Sequence, residues 1–401
     1  MVHLTVLIGA LGYFVDIYDL LLFGIVRTPS LRALGVKEED LLSVGMHLLD
    51  MQMLGMLLGG IVWGVLGDLR GRKSVLFGSI LMYSLANIAN AFVPNVEVYA
   101  ILRFIAGIGL AGELGAAITL VSEVMSKESR GYGTTIVASV GILGAVLASI
   151  IGDTFSWQTA YLVGGVMGLA LLGLRAGLLE SKMFAQMKEQ GQKSKAGLHK
   201  ILMKPKNLGR YLCCILIGVP IWFVIGILIT FAPEFAKDLN VDGVVTGSKA
   251  IMWAYIGLSL GDLASGVLSQ VLRSRKQSIL IYLVLTTALI FVYVFQRSWT
   301  VTSFYGLCAM LGFAVGYWAV FVTVGAEQFG TNVRATVATT VPNFVRGSLV
   351  LITASFRGLM PEFGRLNAAL IVGCGCMVIA FAAWYFLSET YGKDLDYLEQ
   401  I

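Results

Sequence analysis

The chain predicts an all-α integral membrane fold of about twelve transmembrane helices, arranged as two related six-helix halves. Three observations predict it. Of the 401 residues, 57% are hydrophobic and only 13% are charged, roughly half the charge of a soluble protein of this size. Apolar segments long enough to span a bilayer, about 20 residues each, recur along the whole sequence. Sequence features of the first half also return in the second, and such internal duplication is typical of secondary transporters.

In order, the predicted spans fall near 4–27, 43–66, 75–93, 98–122, 132–151, 158–178, 211–233, 247–270, 278–296, 301–325, 336–356 and 366–388. The first has no short apolar core followed by a small-residue cleavage site, so it reads as an uncleaved helix. The widest polar gap, 179–210, carries Lys182, Lys188, Lys193, Lys195, Lys200, Lys204, Lys206 and Arg210 against two acids. It reads as a cytoplasmic linker between an N-terminal half, 1–178, and a C-terminal half, 211–401. Cationic turns at Lys127–Arg130 and Arg273–Lys276 fall on the same side. Acids at Glu38, Glu39, Asp40, Asp153, Asp238 and Asp242 fall on the other. The positive-inside rule then places both termini in the cytoplasm. The net charge of +5 belongs to those loops, so no nucleic-acid partner is expected. Cys213, Cys214, Cys308, Cys374 and Cys376 all sit in apolar segments without metal-ligand spacing and read as packing thiols.

The most densely charged turn is Gly64-Val-Leu-Gly-Asp-Leu-Arg-Gly-Arg-Lys73. Asp68, Arg70, Arg72 and Lys73 cannot lie in hydrocarbon, so this turn marks a membrane face. Gly266-Val-Leu-Ser-Gln-Val-Leu-Arg-Ser-Arg-Lys276 is its weaker copy, with Gln270 in place of the acid. Glu123-x6-Arg130 returns as Glu327-x6-Arg334. Tyr13-Phe-Val15, just after Ile8-Gly9, returns as Trp222-Phe-Val224, just after Ile217-Gly218.

Gly64 to Lys73 resembles the loop signature of the major facilitator superfamily, G-x-x-x-D-R-x-G-R-R, with Leu69 where that pattern has arginine. Leu102-Arg-Phe-Ile-Ala-Gly-Ile-Gly-Leu-Ala-Gly-Glu113 and Ser122-Glu123-x6-Arg130-Gly131 resemble its fourth helix and the turn after it. Tyr13 to Gly24 resembles the first helix of the sugar-porter and metabolite–proton symporter branches. The resemblance implies alternating access at the interface of two six-helix halves. It also implies that Asp68, Arg72, Glu123, Arg130, Arg275, Glu327 and Arg334 latch the halves in the outward-facing state. In the sugar porters, the residues matching Asp19 and Arg103 form a proton-linked pair.

Ionisable residues at membrane depth are costly and usually functional. Asp16 and Asp19 are three apart and share a helix face. Two acids so close cannot both ionise cheaply, so one can load and release a proton; the alternative is a pair neutralised by Arg103 that only holds helices together. Arg103 either pairs with Asp19 or offers its fork to an anionic substrate. Glu113, between glycines, either joins the proton path or bonds backbone groups. His47 and Asp50 form either a proton relay or a solvated pair at a helix end. In the second half, Ile225 and Leu228 replace Asp16 and Asp19, so the proton chemistry is concentrated in the first. Asp262 and Arg346 either pair with each other, or Arg346 is a carboxylate clamp with Asn343 as its polar neighbour. The second half supplies aromatic surface at Trp222, Trp253, Tyr255, Tyr305, Tyr317, Trp318 and Phe321; some are interfacial anchors, and Trp222, Tyr317 and Trp318, with Tyr18 from the first half, are candidates to line a substrate site and stack on a ring.

The expected function is proton-coupled symport of a small organic solute, a carboxylate metabolite first among them. The expected partners are that solute, protons and the lipid bilayer, for a monomer in a bacterial inner membrane. A proton-driven exporter of cationic drug-like compounds is one alternative, a neutral-sugar carrier another, and a non-transporting receptor a third. No Ser–His–Asp set, paired metal ligands or phosphate-binding loop is present in the sequence, so neither an enzyme, a cofactor nor ATP-driven transport is expected.

Overall fold

A computed structural model describes residues 2–70, 72–112, 130–179 and 204–392. The first-half helices are α1 (Val2–Ala33), α2 (Leu41–Arg70), α3 (Arg72–Asn90), α4 (Val96–Leu110), α5 (Arg130–Thr154) and α6 (Trp157–Leu179). The second half follows as α7 (Pro205–Leu216), α8 (Val219–Phe223), a π-helical turn (Val224–Ile229), α9 (Ala232–Asp238), α10 (Gly247–Val271) and α11 (Arg275–Phe295). It ends with α12 (Val301–Ala314), α13 (Trp318–Glu327), α14 (Thr331–Gly347) and α15 (Leu349–Phe386). No strand forms among the described residues, and eight helical stretches there are long and apolar enough to cross a membrane. The protein is an all-α, multi-pass membrane protein.

Three helices start at a side chain that accepts from one of their free N–H groups. Asn95 accepts from the Val98 N–H ahead of α4, Ser274 accepts from Gln277 ahead of α11, and Thr300 with Ser303 forms a capping box ahead of α12. Successive spans alternate in direction. The start of α1 and the turns near 273 and 329 therefore lie at one end, called here the near face. The turns near 37, 93, 155, 243 and 298 lie at the far face.

Among the described residues the predicted spans are mainly helical, with departures in continuity: 211–233 breaks at 217–218 and 230–231, and 113–122 of the fourth span lie outside the described residues. The span predicted over 301–325 breaks between Ala314 and Trp318. The last two spans run on through α15, where the chain reverses at Gly364 with φ +72°, a left-handed conformation that glycine adopts at little cost.

The duplication is visible in the packing. Gly55 on α2 lies against the Phe104 carbonyl of α4 so closely that a Cβ would strike it; Gly257 on α10 lies against the Ala309 carbonyl of α12 in the same way. Between halves, α10 packs on α5 and α1, and α14 packs on α2. Leu174, Leu260, Val284, Leu351 and Val378 are exposed on the outer surface, where lipid is the solvent.

Candidate substrate and proton site

Where the halves meet, the buried faces of seven segments line a small, partly open cavity of about 30 Å³. Tyr13, Ile17 and Leu20 come from α1 and Ile142 from α5. Ile221 and Trp222 come from α8, and Ile225 from the π-turn after it. Tyr255 and Leu258 come from α10, Trp318 from α13 and Arg346 from α14. The walls are aromatic and aliphatic, with one fixed cation.

The repeat explains why the space lies there. Tyr13 and Trp222 are equivalent positions, as are Asp16 and Ile225. The 204-residue separation relating Glu123 to Glu327 likewise carries Ile142 onto Arg346. The lining thus joins equivalent positions of the two halves, but charge breaks the symmetry: Arg346 on the second half's wall has Ile142 as its counterpart in the first.

Arg346 is 1% exposed, and its guanidinium lies 5.5 Å above the Trp318 ring. Nη2 is 4.0 Å from Asp16 Oδ2, an ion pair between halves with both side chains buried. Nε and Nη1 have no hydrogen-bond partner among the described residues, nor does Trp222 Nε1. A buried donor left unpaired costs on the order of 1–3 kcal/mol, more for a charged group, so an acceptor reaching these donors would be held favourably.

A second charged cluster lies within the first half. Asp19 is fully buried, with Asp16, Arg103 and Asn87 as its charged and polar neighbours. Arg103 donates to Gln52 Oε1 and lies 5.1 Å from the Phe23 ring centroid and 5.9 Å from that of Tyr161. Its guanidinium is held by that aromatic cage and does not line the cavity.

At the far face, three polar links join the halves. Arg27 meets Glu234 at 2.6 Å, and Arg27 also donates to the Leu41 carbonyl and lies over the Phe231 ring. Asp50 accepts from Arg357 at 2.5 Å and from the Thr353 hydroxyl. Asp153 accepts from Ser248. The far face is therefore closed across the interface.

The comparisons with known proteins settle the family. The model of the Major Facilitator Superfamily matches residues 9–360. The chain belongs to that superfamily. It is 30% identical over 294 residues to the 3-(3-hydroxy-phenyl)propionate transporter of Escherichia coli (strain K12), covering 71% of this chain and 70% of that one. It is 24% identical over 391 residues to the putative niacin/nicotinamide transporter NiaP of Bacillus subtilis (strain 168), covering 93% and 94%. Its fold is similar to that of the proton:xylose symporter XylE bound to 6-bromo-6-deoxy-D-glucose, with TM-score 0.72, 18% identity and coverage of 98% and 97%. The protein is a membrane transporter and not an enzyme.

Within this superfamily frame, the cavity gathers Trp222, Trp318 and Arg346 from the residues expected at the substrate site. Three others are engaged with backbone. Tyr18 donates to the Ala160 carbonyl at 2.9 Å, and Tyr317 to the Ile217 carbonyl at 2.9 Å. Asn343 donates to the carbonyls of Ala111, at 2.9 Å, and Thr339, at 3.1 Å. Asp262 does not pair with Arg346: its Oδ1 accepts the Ala319 N–H at 3.0 Å, placing a carboxylate at the positive end of α13. Asp50 is not a solvated acid at a helix end, because it faces Arg357 and Thr353; His47 is exposed. Of the expected gate, Arg275 and Glu327 lie 3.5 Å apart within the second half. Glu113 and Glu123 lie outside the described residues, as do the side chains of Asp68, Arg72, Arg130 and Arg334. Tyr255, one of the second-half aromatics, also lines the cavity, and sequence reasoning missed Tyr13 as a cavity wall. The signal for Tyr13 was the repeat itself, since it is the counterpart of Trp222.

Proposed function

We propose that this transporter carries an aromatic carboxylate together with a proton by alternating access, the ring held among Tyr13, Trp222, Tyr255 and Trp318. The observation that carries this reading is Arg346, a buried cation on the cavity wall with two unpartnered donors. A carboxylate fits a guanidinium fork as a bidentate, charge-assisted acceptor, and flat aromatic walls suit a flat ring. The names of the two relatives support the same class: hydroxyphenylpropionate and niacin each join a carboxylate to a ring, and nicotinamide, also in the second name, carries an amide on that ring. A cationic cargo would meet Arg346 and be repelled.

The acidic pair Asp16 and Asp19 on α1 supplies the proton chemistry, with Arg103 holding the charge of the cluster. The two bodies, 1–178 and 211–401, rock about the cavity, and linker 179–210 joins them on the cytoplasmic side with both termini. The far-face links Arg27–Glu234, Asp50–Arg357 and Asp153–Ser248 fasten the closed far side. The charged turns with Asp68, Arg72, Glu123, Arg130, Arg275, Glu327 and Arg334 act on the near side. In a bacterial inner membrane the proton gradient then drives uptake.

The test is uptake into proteoliposomes under an inward proton gradient, with labelled benzoate, nicotinate, cyclohexanecarboxylate, xylose and tetraphenylphosphonium. Accumulation of the aromatic acids, abolished in Arg346→Ala, is the expected result. Uptake of xylose or the cation instead, or undiminished acid uptake in the variant, overturns the reading.

A further inference from the structure

The two acids of α1 are not equivalent. Asp19 lies in the first-half cluster with Arg103, whereas Asp16 reaches across the interface to Arg346 Nη2 at 4.0 Å. Arg346 is also the cation that lines the cavity. We propose that Asp16 is the internal stand-in for the substrate's carboxylate: it pairs with Arg346 when the site is empty, and it takes the coupled proton when the substrate displaces it. This rests on the reading of Arg346 as the carboxylate site and specifies which acid couples.

The charge balance explains why the exchange is coupled. In the empty site one carboxylate, Asp16, faces one guanidinium, and the local charge is neutral. A bound carboxylate without a proton would leave two anions facing one cation in a buried site, which is costly in low dielectric. Protonating Asp16 to its neutral acid restores one anion to one cation. The loaded and empty sites then carry the same charge, so either can cross the transport cycle, while the half-loaded forms are disfavoured.

The other groups around the pair do not take this role. Tyr13 and Tyr255 lie within electrostatic reach of both Asp16 and Arg346, but a phenol stays neutral at physiological pH. Asp262 is tied to the Ala319 N–H. Trp318 covers one face of the guanidinium and carries no titratable proton. The internal symmetry fits the same scheme: Asp16 and Arg346 are both replaced by isoleucine in the opposite half, at Ile225 and Ile142. The acid and the base thus sit on different moving bodies, and their contact reports both occupancy and closure.

The experiment is calorimetric titration of the purified full-length protein with 3-(3-hydroxyphenyl)propionate and nicotinate from pH 5.5 to 8.5. Wild type, Asp16→Asn, Asp16→Glu and Asp19→Asn are compared. Wild-type Kd is expected to rise about tenfold per pH unit at the alkaline end, as the ionised Asp16 competes for Arg346. Asp16→Asn is expected to bind at least tenfold more tightly than wild type at pH 8.5, with no pH slope. Asp16→Glu and Asp19→Asn are expected to keep the slope, and Asp16→Asn to retain substrate exchange across liposomes while losing proton-driven accumulation. A slope that survives in Asp16→Asn and disappears in Asp19→Asn overturns the assignment and leaves the Arg346 site standing. Absence of binding of both probes by wild type at every pH overturns the aromatic-carboxylate reading and this proposal together.

Discussion

Glu234→Gln removes one charge from the far-face pair without changing the shape of the side chain. Arg27 and Glu234 are 1% and 13% exposed, and their closest atoms are 2.6 Å apart. At that separation, with an effective dielectric constant near 20, the Coulomb attraction is about 6 kcal/mol before desolvation is subtracted. Removing one partner of a buried pair typically costs about 3–5 kcal/mol. Here the loss is smaller, because glutamine keeps an acceptor oxygen and Arg27 keeps the Leu41 carbonyl and the Phe231 face. About 2 kcal/mol remains, and it falls only on the far-closed state, since opening returns Arg27 to water. That is roughly a 30-fold shift toward far-open. Arg32 and Glu38, 55% and 59% exposed, are the control: an exposed pair contributes about 0–1 kcal/mol, so Glu38→Gln should move the equilibrium little. The assay is pulsed electron–electron resonance between spin labels at Lys37→Cys and Val244→Cys, on opposite halves, in a background lacking the five native cysteines. A longer-distance population should grow in Glu234→Gln and not in Glu38→Gln. Identical distributions in wild type and Glu234→Gln would refute the claim that this pair fastens the far face.

Arg346→Lys should bind aromatic carboxylates at least tenfold more weakly than wild type, because an ammonium is a point charge without a planar fork; equal Kd values by calorimetry would count against bidentate recognition. Gly164→Ala should reduce uptake at least tenfold, since its Cβ would collide with Asp19 Oδ1 and come within 2.9 Å of the Tyr18 ring, whereas Gly173→Ala, with open space around it, should be neutral; equal uptake by the two variants would contradict the tight packing of α6 on the acid cluster. Beyond the last span, burial alone would raise the Glu389 carboxyl, but hydrogen bonds from the Ser274 hydroxyl and the N–H groups of Tyr391, Arg275 and Thr390 hold it at about 2. A depressed carboxyl contributes stability that is complete above its ordinary value of about 4.3 and is lost as pH falls toward 2. Hydrogen exchange at residues 274–276 should therefore rise in Glu389→Gln at pH 7 and in wild type below about pH 4; unchanged protection in the variant would contradict the cap.

The spans were legible because bilayer thickness dictates apolar length, and that length survives in the sequence without any tertiary information. The duplication was legible for the same reason: Glu123/Glu327 and Tyr13/Trp222 stand in register along the chain. What pairs with what was not. Asp16 and Arg346 are 330 residues apart, and only the docking of two bodies brings them together, so the sequence offered Asp262 as the one alternative to a clamp role for Arg346 and gave no sign of Asp16. Nor could spacing tell a cavity aromatic from one engaged with backbone. Tyr317 bonds Ile217 because Ile221, the residue whose N–H would normally reach that carbonyl, bonds Gly218 instead; the break near Pro220 creates an acceptor that a buried phenol then satisfies. Likewise Asp262 found the free N–H groups at the start of α13, a helix start that the apolar pattern of 301–325 did not reveal.

The most direct test of carboxylate–proton symport is the internal pH of proteoliposomes reporting through a trapped pH dye, with equal pH on both sides at the start. Adding 3-(3-hydroxyphenyl)propionate outside should acidify the lumen of vesicles carrying wild type and leave vesicles carrying Arg346→Ala at the rate of protein-free ones. Substrate entry, measured in parallel by radiolabel, without acidification beyond that background would contradict proton coupling. Acidification at the wild-type rate in Arg346→Ala would contradict the carboxylate site.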